Sequence, residues 1–439
     1  MAKKEVSIVR VPQILLPNKD IDMQKWAVIA CDQYTSQKEY WDDVEKIVGN
    51  EPSTLRITFP EYYLGKGDDE KRIAEIQQTM KDYLAKKIFT EHDGMILVER
   101  QIKSGIRWGL LLCIDLEDYD FNKTSTSWIR ATEGTVPERI PPRVKIREGA
   151  PLELPHILVL VNDPEKNLIE PLISRHNYMN VLYDFDLMKG SGHIRGYSLA
   201  KAEYKKHVMD VIAQMQADES IAAKYGKATD KNRILFAIGD GNHSLATAKT
   251  IWEEHKKEWG MNHPARYALV EIENLHDPAL KFEPIHRVIF NPKEEITALF
   301  NKEFGKKITV STFDDADKLC SDIDSTPEGT QAFGIIEKGK FTKVLFNKAP
   351  SVLCVGSVQQ TLDKWKKQEL FEKIDYIHGT KDLISVASGD NTVGIYLPPV
   401  QKNGFFEGII HDGALPRKTF SMGEAEEKRF YIESRKILE

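Results

Sequence analysis

Arg233-Ile234-Leu235-Phe236-Ala237-Ile238-Gly239-Asp240-Gly241-Asn242-His243-Ser244 is the stretch on which the reading of this chain turns. Ile234 to Ile238 form an apolar run of strand length, two glycines follow, and Asn242 through Glu258 carries apolar residues at helical spacing. A strand, a tight turn and a helix in direct succession predict an α/β protein of mixed sheets with helices. The glycines let backbone approach a ligand, and the new helix points its N–H groups at whatever lies in front of it, an arrangement suited to phosphate. Gly239, Gly241, Asn242 and Ser244 are therefore phosphate-binding candidates. Asp240 is a candidate ligand for a divalent cation or a proton acceptor, and His243 a phosphate contact or an acid–base group. Asp-Gly is also a common turn dipeptide, and Asn242 or Ser244 would cap a helix with no ligand present.

Upstream, Asn122 to Pro155 is basic and punctuated by prolines, so it is not one regular element throughout. It offers Arg130, Glu133, Arg139, Arg143 and Arg147, and guanidinium groups suit bidentate binding of phosphate or carboxylate. A solvated loop with ordinary surface ion pairs is the alternative. Met95 to Arg100 and Arg107 to Asp115 read as a hairpin, and Ile157 to Val161 as a buried strand. Tyr183 to Gly196, with three glycines between 190 and 196, reads as an irregular zone ending in a mobile loop, and Lys201 to Lys224 as one helix.

Downstream, the His286-Arg287 pair stands at the start of a strand, where alternation sends the two side chains to opposite faces and only one toward a site. Lys418, in Pro416-Arg417-Lys418-Thr419, belongs to a loop that would close over an anionic ligand. At 439 residues the chain is expected to divide, here into subdomains 1–125, 126–291 and 292–439, the central one carrying the anion site.

With 61 basic and 67 acidic residues the net charge is −6 and no long run of either sign occurs, which argues against a nucleic-acid or membrane-surface protein. The apolar runs are strand-sized, no secretory leader is evident, and a cytoplasmic protein is expected. Cys31, Cys113, Cys320 and Cys354 make no Cys-x-x-Cys pair, so neither a zinc knuckle nor a disulfide framework is indicated. A homo-oligomer is compatible with all of this.

Six blocks in order carry a resemblance: Leu55-Arg56-Ile57-Thr58-Phe59-Pro60-Glu61; Gly109 to Tyr119 leading into Arg130-Ala131-Thr132-Glu133; Asp240-Gly241-Asn242-His243; Ile285-His286-Arg287; Tyr376-Ile377-His378-Gly379; and Leu415-Pro416-Arg417-Lys418-Thr419-Phe420. The chain resembles the uncharacterised prokaryotic family known as domain of unknown function 1015. Many relatives read Asp-Gly-His-His-Arg at the central turn, where this chain has Asn242 and Ser244, and Arg-His-Glu at the arginine segment, where it has Ala131-Thr132. The matching positions are Asp240, His243, Arg130 and Glu133. The family's turn is in turn similar to the Gly-x-His-Arg box of the fold shared by the chromosome-partition protein ParB, sulfiredoxin and archaeal free-serine kinases, where it contacts nucleotide phosphates.

The resemblance implies a nucleotide-dependent phosphotransferase acting on a small hydroxylated metabolite, serine or a related amino acid. ATP or ADP would place its phosphates at the turn, Mg²⁺ would sit on Asp240, and Arg130, Arg139 or Arg143 would neutralise the transferred group. Glu133 or His243 would take the acceptor's proton. A non-catalytic sensor of a nucleotide or phosphorylated metabolite, and a phosphate-ester hydrolase, are the alternatives.

Overall fold

Ile234 to Ile238 can only be a strand if both its faces are covered, and in the computed structural model, which describes residues 7–135 and 137–438, they are. Phe236–Asp240 lies inside a ten-stranded mixed sheet. Across it run Val181–Asp186, His193–Leu199, Met95–Ile102, Gly105–Asp115, Tyr267–Asn274, Leu158–Val161, Phe236–Asp240, Ile129–Ala131 and Tyr119–Asp120, with Val9–Arg10 paired to Gly105–Asp115. Leu110, Leu112 and Ile114 turn to one face, where Leu245 and Trp252 of the helix Asn242–Trp259 and Val208 and Ile212 of the helix Ala202–Met215 cover them. Leu111 and Cys113 turn to the other, against Trp41, Val44 and Phe430. That period-two partition explains why the run reads as unbroken apolar sequence.

Two compact units result: residues 1–280 with 423–439, and residues 281–422. The boundary expected near 125 falls inside the first unit, and the one near 291 falls close to the division at 280/281. The returning segment 423–438 is woven into the first unit, Phe430–Tyr431 pairing with Val28–Ile29 and Arg435–Lys436 with Leu152–Glu153. The second unit holds a seven-stranded antiparallel sheet. Its order is Ile308–Phe313, Lys340–Phe346, Gln331–Glu337, Thr392–Tyr396, Phe282–Phe290 and Lys373–His378, with Phe420–Met422 also on Phe282–Phe290.

Two local expectations are corrected, and a third stretch gains a short helix. The zone 183–196 is a hairpin, Val181–Asp186 against His193–Leu199, whose turn is anchored by buried Leu187 and Met188. The helix expected over 201–224 is two, Ala202–Met215 and Asp218–Tyr225, with extended backbone at Ala217 between them. The proline-rich stretch contains the helix Ile140–Arg147, because Pro141 and Pro142 occupy its first turn, where a missing N–H costs nothing. Among the described residues no helix is long and apolar enough to cross a membrane.

Candidate functional site

The strand order decides what meets the turn. Phe236–Asp240 runs parallel to Ile129–Ala131 and antiparallel to Leu158–Val161, with Ile238 opposite Ala131 and Asp240 opposite Leu158. The C-terminal ends of two strands and the N-terminal end of a third therefore share one side of the sheet, placing Thr132-Glu133, Gly239 to Ser244 and His156-Ile157 together. Gly241 has φ +83, and a Cβ there would meet Ile157 Cγ1 at 3.0 Å and Ile157 Cα at 3.2 Å. Gly241→Ala is expected to cost about 1–2 kcal/mol of stability from backbone handedness alone, read as a lowered urea midpoint. The Asn242 side chain is engaged within the protein: its Oδ1 accepts from Thr132 N at 3.2 Å, its Nδ2 donates to Thr132 Oγ1 at 3.3 Å, and the Thr132 hydroxyl donates to the Ile238 carbonyl at 2.5 Å. Its side chain braces the turn.

Ser244, half-buried, lines a cavity beside the turn. Its Oγ lies 2.8 Å from His156 Nε2, His156 Nδ1 lies 3.1 Å from the Tyr431 hydroxyl, and that oxygen accepts from the Cys31 amide at 3.2 Å. Tyr431 thus ties His156 to the backbone at Cys31, and His156 ties Tyr431 to the Ser244 hydroxyl. Burial, only partly opposed by Asp32 and Asp240, holds His156 below its ordinary pKa and hence neutral.

A cavity of about 130 Å³ opens here, with Glu61, Arg143, His156, Ser244 and Tyr431 among its polar lining and Phe59, Met80 and Ile146 among its apolar lining. The helix Ile140–Arg147 packs on the helix Asn242–Trp259 and brings Arg143 to Glu61, with which it forms an ion pair, each side chain mostly shielded. Burial raises the Glu61 carboxyl, and Arg143 pulls it partly back. His243 is held down to about 4, by burial first and then by the charges of Arg143 and Arg139. Its ring signals should titrate near pH 4 in the free protein and move back toward 6.5 when pyrophosphate binds, because an anion offsets the two guanidinium charges. The same depression makes stability fall as pH drops from 6.5 to about 4, where the unfolded imidazole binds a proton that the folded one refuses. NMR titration of the ring with and without pyrophosphate, alongside urea midpoints across that pH range, checks both statements.

Several expected residues stand elsewhere. Arg130 is buried with its guanidinium turned to the far end of the strand, donating to the carbonyls of Ser127, Lys231 and Arg233. It staples the entry to that strand and is corrected from a phosphate ligand to a structural group. Asp240 accepts from Gly241 N at 3.1 Å and pairs with Lys428 Nζ at 3.2 Å, the lysine side chain 8% exposed, so the cation at this carboxylate is a lysine. No cluster of three or more His, Cys, Asp or Glu fit for a metal ion occurs among the described residues, and the groups at the turn do not form a Mg²⁺ cage. Glu133 follows Thr132 beside the turn, half-buried.

His286 and Arg287, expected on opposite faces with one free, are both buried inside the second unit. His286 Nδ1 accepts from Leu397 N at 3.1 Å and its ring stacks on Tyr396, while Arg287 Nε donates to Gln359 Oε1 at 2.9 Å. Lys418 is exposed on that unit. Cys31 lines the cavity, but burial, Asp32 and Glu61 push its thiol far up, leaving no thiolate to react. The residues that sequence reasoning missed are Glu61, His156, Lys428 and Tyr431. Glu61 closes one of the recognised blocks, whereas the other three stand in stretches without a motif.

No curated protein matches the sequence. Among solved structures, a conserved hypothetical protein from Pyrococcus furiosus is similar at 12% identity and TM-score 0.33, over 73% of this chain and 90% of that one. SbnI from Staphylococcus aureus, with a C-terminal truncation, is similar at 10% and 0.33, over 73% and 82%. A free serine kinase in complex with AMP is similar at 11% and 0.35, over 74% and 91%. At such scores none of them assigns a substrate or a residue role here. The family model described as "Protein of unknown function (DUF1015)" matches residues 15–365, the span that holds the turn, the arginine segment, Glu61 and His156, and the chain belongs to that family.

Proposed function

We propose that this protein is a nucleotide-dependent phosphotransferase acting on a small hydroxylated metabolite, serine or a related amino acid, in the cytoplasm. The observation that supports it is the meeting, at one cavity, of a long helix's first turn, a serine hydroxyl held against a buried histidine, and the shielded guanidinium of Arg143. First-turn amides lack partners within the helix, so they and Ser244 would hold phosphate oxygens, with Arg143 and Arg139 balancing the charge. An acceptor hydroxyl oxygen attacks the terminal phosphorus, the bond from that phosphorus to the bridging oxygen breaks, and the nucleotide leaves with the electron pair. The hydroxyl proton passes to His243, which is neutral at physiological pH, or to Glu61 or Glu133.

Mg²⁺, if required, would arrive with the phosphates, because Asp240 is already paired. A ParB- and sulfiredoxin-like core belongs to the same reading. A second reading, a sensor that binds without turnover, needs the same turn and arginines but no base. The test is incubation of the pure protein with ATP or ADP, Mg²⁺ and a pool of hydroxy amino acids, followed by mass spectrometry. A phosphorylated amino acid is expected; binding with neither product nor nucleotide turnover supports the sensor, and phosphate release with no acceptor present marks a hydrolase.

A further inference from the structure

The cavity beside Ser244 has two unlike walls. On one, polar groups form a continuous chain: Arg143 pairs with Glu61, the Glu61 amide donates to the Cys31 carbonyl at 2.8 Å, and Tyr431 and His156 carry the contacts on from the Cys31 amide to Ser244. The other wall is apolar. Ile57, Phe59, Met80 and Leu152 are buried members of one hydrophobic cluster, Ile146 and Leu154 pack against it, and all six line the cavity.

The same few segments supply both walls. Ile57 and Phe59 lead to Glu61, Leu152 and Leu154 lead to His156, and Arg143 and Ile146 stand about one turn apart on the helix Ile140–Arg147, where such spacing makes neighbours on one face. Protein cores close up to leave few voids larger than a water molecule, so a space bounded by this many apolar side chains is not ordinary packing. A few fixed polar groups set against an apolar lining are the form of a small-molecule site.

Its size decides which molecule fits. At about 130 Å³ it is slightly smaller than a cavity of about 150 Å³, lined by leucine, isoleucine and phenylalanine, that holds benzene. A nucleotide is too large for it, so on the phosphotransferase reading its occupant is the acceptor. Serine, with a single methylene, would set its hydroxyl among the polar groups and leave the apolar wall uncovered. We propose that the acceptor carries its hydroxyl beside an apolar group the size of one aromatic ring or a branched aliphatic chain, seated against Phe59, Met80 and Ile146; the proposal rests on the phosphotransferase reading above.

Initial rates of the full chain with ATP or ADP, Mg²⁺ and, in turn, serine, threonine, β-hydroxyleucine and β-phenylserine test it, the product being measured by mass spectrometry. The efficiency kcat/KM is expected to rise along that series, β-phenylserine exceeding serine by roughly a hundredfold or more, since a single methylene in an apolar pocket is worth about tenfold or more. Ile146→Trp, at a half-buried helix position, fills the cavity and should bring that ratio below about tenfold. If serine and threonine are phosphorylated as efficiently as the two bulkier acceptors, the apolar wall has no part in selecting the acceptor and the proposal falls, with phosphotransfer intact. The same follows if Ile146→Trp still phosphorylates serine and keeps the full ratio. If no acceptor yields product, the phosphotransferase reading itself fails and takes this proposal with it.

Discussion

Arg429→Met is expected to destabilise the first unit by about 3–5 kcal/mol, the cost of removing one partner from a buried ion network. Arg429 Nε lies 2.8 Å from Glu271 and its Nη2 2.9 Å from Glu433, with side-chain exposures of 2%, 2% and 0%. Nη1 also donates to the Phe430 carbonyl, and the Tyr183 hydroxyl donates to Glu433 at 2.5 Å. Without the guanidinium two carboxylates face each other away from water, and the desolvation that the pair had offset is left uncompensated. Tryptophan fluorescence in urea reports this, since Trp365 alone of the seven tryptophans lies in the second unit. Adding Glu433→Gln to the variant should recover part of the loss, because it removes one of the stranded charges. A first-unit midpoint that Arg429→Met leaves in place would show that the network contributes nothing.

Arg143→Met is expected to lower phosphoryl-transfer turnover on the order of 10²–10³-fold, the usual consequence of losing one preorganised charge at a reacting group. The side chain is 14% exposed and stands against Glu61 at 20%. Two effects run together. The cation that would face the transferred group disappears, and the Glu61 carboxyl, already raised by burial and restrained by Arg143, rises further and loses its charge. Arg143→Lys keeps the charge but not the planar fork, and should restore turnover only in part. Turnover unaffected by either replacement would remove Arg143 from the reaction, whatever Gly241 and Ser244 then do.

Lys428 and Tyr431 show how far the site depends on chain return. Both lie beyond the residues 15–365 matched by the family model, yet one pairs with Asp240 and the other holds the His156 ring by a contact to Nδ1. A first unit without segment 423–438 would leave Asp240 and His156 short of partners, so the segment is part of the site and not merely of the fold.

The strand, turn and helix at 234–259 were legible from residues alone, because apolar periodicity and glycine at a left-handed position are local constraints that no distant contact had to supply. The same holds for the hairpin at 95–115. Arginine direction was not legible: Arg130 and Arg143 read alike in sequence, and only the parallel pairing with Phe236–Asp240 sends the first to the strand's entry, while helix packing brings the second to its exit side. His286 stood out in sequence and His156 did not, yet the antiparallel sheet of the second unit buries the first, and the antiparallel neighbour of the turn presents the second to Ser244. Local pattern determines which backbone can form; which side chains share a cavity is set by strand order and by where the chain comes back, a product of long-range burial that no short window of sequence contains.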